Sequence, residues 1–475
     1  METETVKKIY LVGIGGIAMG TLATMLRESG YEVAGSDQNL YPPMSTHLQD
    51  LGIPLFEGFS PENPQRSAPD LFVMGNVIRR DNPEAQFVMS QAKPCLSMPQ
   101  AISRFFLEGR KSIVVAGTHG KSTTSSLLAW VLERGGKDPR AFIGAFVKDW
   151  GRSYRLGSGE YMVVEGDEYD TAFFDKGPKF LHYQPHIGII GSIEFDHADI
   201  FADLEAVLKA FRNFVRIIPE NGYLILNGDD PNCVLLASEC KGKVITYGSS
   251  HRADWRISNV GFHPGEVSFH LRNPVTQREE TFRSKLPGRH NGWNIAAVIA
   301  AATLAGMSLK SIQEAVLAFN GVKRRQDVLG EFGGVLVMDD FAHHPTAVHE
   351  TLLALKLFHP LRRLIAAFEP RSNSSRRNVF QQLYSGAFSA ADLICIKQPP
   401  AMDSIPGEER LDAGRLVEDI RKRGKDGRFF QTTDELLGFL LESARSGDLI
   451  VCMSNGSFDG LTKKLAEALP GREIK

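Results

Sequence analysis

Short aliphatic and β-branched runs alternate with longer segments of helical period along nearly the whole chain. Lys8–Val12, Glu32–Gly35, Ser112–Val115, Glu160–Val164, His186–Ile193, Val335–Met338, Leu364–Phe368 and Asp448–Met453 read as strands. Between them lie segments of helical character, such as Thr21 to Ser29 after a glycine turn and an alanine-rich stretch ending at Ala305, with Gly306 as its stop. Near-continuous apolar strands separated by helices predict an α/β protein built on largely parallel sheets. Polar residues cluster just after the strands. In open parallel sheets, ligands collect at those carboxyl ends.

With 475 residues the chain exceeds what one hydrophobic core supports, and three domains are expected, at 1–108, 109–322 and 323–475. The 54 Lys plus Arg against 56 Asp plus Glu leave a net charge of -2, without the basic excess that neutralises nucleic-acid phosphates. No apolar stretch approaches the length of a membrane span, and the polar start Met1–Lys8 lacks the basic head and apolar run of a signal peptide. Five scattered cysteines without CxxC spacing read as reduced thiols that fill the core, consistent with a cytoplasmic protein and no membrane partner.

Three stretches carry nucleotide chemistry. The first strand runs into Gly13-Ile14-Gly15-Gly16, and the second ends in Ser36-Asp37. Glycines let a backbone approach a pyrophosphate, and an acid about 20 residues on can bond a ribose, but the G-x-G-x-x-G spacing of nicotinamide enzymes is absent. A turn with only a structural role is the alternative. The second stretch is Gly117-Thr118-His119-Gly120-Lys121-Ser122-Thr123 after a strand. Its backbone N–H groups would cradle phosphates, Lys121 would reach the β- and γ-phosphates, and the Ser122 hydroxyl would bind Mg²⁺. The first glycine of G-x-x-x-x-G-K-(S/T) is replaced by Val115, so the loop is a shortened variant.

Downstream strands discharge Glu165, Asp167, Glu168 and Asp170, then Glu194, Asp196, His197 and Asp199. Carboxylates and an imidazole beside a triphosphate suit magnesium. Glu168 and Glu194 are the members expected to be solvated loop charges. The third stretch opens a helix with Asn291 and Asn294, three apart on one face, where a carboxamide can read an adenine edge. Phe319–Arg325 reads as a linker. Beyond it lie a strand ending in Asp339, Asp340, His343 and His344, and another followed by Arg371-Ser372-Asn373-Ser374-Ser375-Arg376-Arg377.

Taken in order, G-I-G-G at 13–16, G-T-H-G-K-S at 117–122, Glu165, D-H at 196–197, R-H-N-x-x-N at 289–294 and D-D-x-x-H-H-P at 339–345 resemble the Mur ligase family across nearly the whole chain. The resemblance implies a Rossmann-like N-terminal domain, a central P-loop ATPase-like domain with a parallel or mixed sheet, and a Rossmann-like C-terminal domain. It implies an ATP- and Mg²⁺-dependent ligase that makes an amide bond through an acyl phosphate in peptidoglycan synthesis. By the same resemblance Lys121, Glu165 and His197 would be catalytic, with Ser122, Glu165 and His197 as metal ligands. Asn291, Asn294, Arg325 and Asp339 would complete the ATP site. Gly13 to Gly16, Ser36 and Asp37 would take the uridine nucleotide of UDP-N-acetylmuramate. A carbamylated lysine assists the second metal in some members; Lys209 lies in the helix after His197 but is not matched to it.

Two features favour, within that family, a ligase that recycles the murein tripeptide L-Ala-γ-D-Glu-meso-diaminopimelate over one that adds L-alanine. The first is the insertion from Thr171 to Pro185 followed by E-F-D-H-A-D-I-F, which resembles the recycling ligases of that family and not the alanine-adding ones. The second is F-E-P-R-S-N-S-S-R-R at 368–377, which resembles the same segment of those recycling ligases and implies that Arg371, Ser372, Asn373 and Arg376, with His343, would hold peptide carboxylates. A folylpolyglutamate-synthetase-like ligase would not need the G-I-G-G domain. A non-catalytic nucleotide-binding protein would not need Glu165 and His197.

Overall fold

A computed structural model describes residues 6–42 and 44–471. Residues 1–5, which open the polar N-terminus, lie outside it. The expected α/β architecture is present as three large sheets, with a small antiparallel pair formed by Asp170–Ala172 and Asp175–Pro178 among the described residues.

The first sheet is parallel, in the order Leu55–Glu57, Glu32–Asp37, Lys8–Val12, Leu71–Met74, Cys95–Ser97. Strand-helix alternation builds it, and the buried Ile9, Leu11, Leu22 and Leu26 join the first strand to the helix Ile17–Glu28. That helix begins four residues before the expected Thr21, because the turn closes within Gly13 to Gly16 and extended Gly16 already serves as N-cap. Gly20 then sits inside the helix, where a Cβ would lie 2.4 Å from Met44 Sδ.

The central sheet has ten strands. Its middle is parallel, in the order Lys243–Gly248, Tyr223–Asn227, Ile187–Ile190, Lys111–Ala116, Tyr161–Gly166, Arg140–Val147. Helices Lys121–Arg134 and Arg289–Leu304 pack on one face through Leu127, Leu128, Val131, Ile295 and Ile299. Both edges are antiparallel: Arg152–Leu156 on one side and the meander Trp255–His263, Glu266–Arg272, Glu279–Ser284 on the other. These half-exposed edge strands alternate polar and apolar residues and escape a reading tuned to buried runs.

The third sheet runs Asp327–Phe332, Val335–Asp340, Leu449–Met453, Leu364–Phe368, Leu393–Lys397, Asp426–Phe430, parallel except for the first strand. The linker expected at Phe319–Arg325 lies between the helix Leu309–Ala318 and the strand Asp327–Phe332, which pairs back on the next strand. Its hairpin closes through Gly333 and Gly334, with φ of +58° and +80°, the left-handed pair that a two-residue hairpin turn requires. No helix among the described residues is long and apolar enough to cross a membrane.

Candidate active site

The phosphate loop follows the buried strand Lys111–Ala116, and Lys121 opens the helix behind it. Gly120 caps that helix at φ +77°, and a Cβ there would meet Asn294 Oδ1 at 2.6 Å. Only glycine lets the loop touch the Arg289–Leu304 helix so closely. Thr118 N donates to Ser192 O at 2.8 Å, tying the loop to the neighbouring strand end.

Lys121 Nζ donates to Gly117 O at 2.8 Å and to Glu168 Oε2 at 3.1 Å. Burial works against its charge, but the facing Glu168 and Asp167 carboxylates outweigh burial and raise its pKa. Glu168 Oε1 lies 3.3 Å from His197 Nε2. Glu168, expected as a solvated charge, is instead only 3% exposed and bridges the phosphate-loop lysine to His197. A buried carboxylate needs such partners. Burial would raise its pKa, yet Lys121 and His197 hold it below the usual value. His197 has a left-handed backbone (φ +54°), and its ring lies 4.7 Å from that of Tyr169.

Glu194, also expected in solvent, is half-exposed but is not a free charge. It accepts from His119 Nε2 at 2.6 Å and from Thr346 Oγ1 at 3.0 Å, so it joins the phosphate loop to the C-terminal domain. Strand position alone could not show that this domain closes over the strand end.

Ser122 Oγ donates to Glu165 Oε2 at 3.0 Å, and Gly144 N to Glu165 Oε1 at 2.7 Å. Burial and then Asp167 push the Glu165 carboxyl upward. A hydroxyl and a buried carboxylate short of positive charge fit a hard divalent cation.

A cavity of about 680 Å³ opens beside the loop, lined by His119, Ser122, Asn294, Arg325 and Asp340 among others. Asn291 also lines it, but its amide donates to Pro287 O at 2.7 Å and Gln326 Oε1 at 3.2 Å, while its oxygen accepts from Asn294 at 3.1 Å. Asn291 thereby orients Asn294. The Arg325 guanidinium stacks 4.6 Å from the Phe341 ring centre, and burial lowers its pKa against the pull of Asp340 and Glu165. Asp339 is not among the lining residues; it pairs with Arg324 at 3.4 Å, and its neighbour Asp340 faces the cavity. Asp229, Asp230, Trp293 and Tyr247 line the same cavity and were not picked out from sequence. The signal existed for the two aspartates, which follow the strand Tyr223–Asn227 as the other acids follow theirs.

In the first domain Gly15 N donates to Asp37 Oδ2 at 2.8 Å, while Gly13 N and Ile14 N donate to Ser36 O at 2.8 and 3.0 Å. The Ser36 hydroxyl is fully buried and donates to Glu84, so its side chain serves the fold.

The Arg371–Arg377 loop docks on the His197 segment. Asn373 Nδ2 donates to Asp199 Oδ2 at 2.7 Å, and Ala198 N donates to Ser374 Oγ at 3.0 Å. His343 Nε2 lies 3.8 Å from Asp196 Oδ2. Arg376 spends its donors on Ala401 O (2.9 Å), Asn373 Oδ1 (2.8 Å) and Pro400 O (3.3 Å). Arg371 is 36% exposed and is anchored through Nη1 to Glu369 Oε1 at 3.3 Å. Ser372 Oγ donates to Ser375 Oγ at 2.9 Å. Lys209 is exposed on the Leu204–Arg216 helix, whereas buried Lys179 donates to Asp167 Oδ2 at 3.0 Å.

Residues 8–110 match the Mur ligase family catalytic domain, 115–302 the Mur ligase middle domain and 324–456 the Mur ligase glutamate ligase domain. The chain is 37% identical to the UDP-N-acetylmuramate–L-alanyl-γ-D-glutamyl-meso-2,6-diaminoheptandioate ligase of Escherichia coli (strain K12), over 97% of this chain and 98% of that protein. It is 32% identical to the UDP-N-acetylmuramate–L-alanine ligase of Myxococcus xanthus, over 98% and 96%. The crystal structure of a murein peptide ligase from Psychrobacter arcticus superimposes with a TM-score of 0.73 at 32% identity, covering 99% of this chain and all of that one. Matched along nearly its whole length in sequence and in fold, the chain belongs to the Mur ligase family.

Proposed function

We propose that this enzyme joins L-Ala-γ-D-Glu-meso-diaminopimelate to UDP-N-acetylmuramate, using ATP and Mg²⁺, in the cytoplasmic recycling of peptidoglycan. The full-length similarity to a ligase named for that substrate pair, above the similarity to an L-alanine ligase, carries the choice of amine.

A carboxylate is a poor electrophile. Transfer of the γ-phosphoryl group from ATP to the carboxylate of UDP-N-acetylmuramate gives an acyl phosphate and ADP. The peptide amine then attacks the carbonyl carbon, phosphate leaves with the C–O bonding pair, and the nitrogen loses a proton to leave the amide. Such transfers need positioning and charge stabilisation more than covalent help. Ser122 and Glu165, with His197 at a second position, would hold Mg²⁺. The metal supplies positive charge to the phosphate oxygens.

Lys121 leaves Glu168 for the phosphates, and Glu168 keeps His197 oriented. Asn294 and Arg325 face the nucleotide cavity, with Asp339 supporting the ribose side through its strand end. Gly13 to Gly16 and Asp37 take the uridine nucleotide. His343 and the Arg371–Arg376 loop meet the peptide, a role supported by the loop's docking on the His197 segment.

Mass spectrometry of a reaction containing ATP, UDP-N-acetylmuramate and tripeptide should show the UDP-muramoyl tripeptide, with one phosphate released per amide. ATP cleavage without a new amide would refute the ligase reading.

A further inference from the structure

His119 and Glu194 border the nucleotide cavity, and with His344 their side chains form a cluster where the phosphate loop, the Glu194 strand end and the C-terminal domain meet. His119 Nε2 and His344 Nδ1 lie 2.6 and 3.4 Å from the same atom, Glu194 Oε2. The two imidazole centres are 4.7 Å apart, and one donor atom from each of the three residues lies within 4.8 Å of the others. We propose that His119, Glu194 and His344 form a Zn²⁺ site, distinct from the Mg²⁺ positions, that pins the phosphate loop to the C-terminal domain.

The donor set chooses the ion. Two imidazoles and one carboxylate suit zinc, whereas magnesium prefers a shell dominated by oxygen and water, with one imidazole at most. Tetrahedral zinc, with bonds of about 2.0 to 2.2 Å, sets its donor atoms roughly 3.3 to 3.5 Å apart. The His344–Glu194 pair already meets that spacing at 3.4 Å, and the His119–Glu194 pair must open from 2.6 Å by less than about 1 Å.

Supporting contacts are in place as metal sites require. Thr346 Oγ1 donates to Glu194 Oε1 at 3.0 Å, which leaves Oε2 facing both rings. His344 Nε2 donates to Phe195 O at 3.2 Å, which fixes the tautomer whose Nδ1 carries the lone pair. The ion would replace the contact from Thr346 N to that Nδ1, also 3.2 Å. Protonation agrees: burial and then His119 push His344 down to about 4, so it is a neutral imidazole near neutral pH. Burial raises Glu194, but His119 and His344 override it and hold it at about 2.

The three donors come from three elements and two domains. His119 is in the phosphate loop, Glu194 follows the strand Ile187–Ile190, and His344 is the N-cap of the helix Pro345–Phe358. An ion bound by all three requires the docked arrangement and therefore stabilises it. The site does not depend on which amine the ligase uses.

The test is titration of the full-length protein, under saturating Mg²⁺, with Co²⁺ as a spectroscopic stand-in for zinc. One equivalent should develop the visible absorption of four-coordinate cobalt, and Zn²⁺ should displace it. Glu194→Gln and His344→Asn should each weaken Zn²⁺ binding at least about tenfold. Asparagine can still cap the Pro345–Phe358 helix, so the second variant separates loss of a ligand from loss of fold. His197→Ala should leave the cobalt signal intact. No Mg²⁺-resistant equivalent in the wild type, unchanged affinity in both cluster variants, or loss of the signal in His197→Ala would each overturn the assignment.

Discussion

Lys121 and Glu168 form a buried ion pair 3.1 Å long, directly behind the phosphate loop. The lysine expected to meet the triphosphate thus has a partner in its absence, and that partner also orients His197. Removing one half of a buried pair strands the other charge away from water.

Lys121→Ala should therefore do two things. Turnover should fall roughly a hundredfold or more, because a charge aimed at the transferring phosphoryl group is gone. Stability to urea should fall, by up to about 3 to 5 kcal/mol, because buried Glu168 loses one of its two charge partners and is left with His197. Adding Glu168→Gln should recover much of the stability and none of the turnover. A single variant with near-normal turnover would contradict the phosphate-loop assignment.

Arg371 and Arg376 should behave differently, although the sequence presents them as equivalents. Arg376 is committed to loop acceptors, whereas Arg371 is half exposed and anchored by one nitrogen. Arg371→Ala should lower kcat/KM for the tripeptide roughly ten- to a hundredfold, as expected for a lost charge-assisted contact of about 1.5 to 3 kcal/mol, with the KM for ATP little changed. Lysine at 371 should restore only part of this, since a point charge does not reproduce the planar fork. Arg376→Ala should instead loosen the loop, seen as faster proteolysis between residues 371 and 377. Equal kinetic effects with an unchanged cleavage rate would contradict the distinction.

Asp339 gives a pH dependence of stability. Burial first, with Asp340 and Asp327 adding repulsion, lifts its pKa to about 6 against the pull of Arg324. The folded chain therefore binds this proton more tightly than the unfolded chain. The resulting stabilisation is complete below about pH 4 and is lost as pH rises through about 6. Urea unfolding should show Asp339→Asn gaining on the wild type between about pH 4 and pH 7.5, by at most about 3 kcal/mol. A constant difference across that range would contradict the assignment.

The strands and their polar ends were legible because buried parallel strands leave unbroken apolar runs, as in Ile113–Val115 and Leu364–Phe368. The edge strands were not, although Gly333-Gly334 between Phe332 and Val335 is a two-residue hairpin turn in plain view. That Lys121, Ser122 and Glu165 gather at one sheet edge was legible because all three follow or end neighbouring strands. Glu168 was misread, and the partners of half-exposed Glu194 were missed, because burial and pairing are properties of what folds over a residue. The partners His197, His119 and Thr346 lie at separations that no local pattern encodes. Asn291, expected to face adenine beside Asn294, has its carboxamide engaged by Pro287, Gln326 and Asn294, partners that its spacing on one helix face does not show.

The choice of amine is the centre of the account, and one comparison tests it most directly. With saturating ATP, Mg²⁺ and UDP-N-acetylmuramate, kcat/KM should be measured for the tripeptide and for L-alanine on the same preparation. The account predicts a preference for the tripeptide of roughly a hundredfold or more, since several charged contacts of the peptide have no counterpart in alanine. Equal values, or a preference for L-alanine, would contradict it.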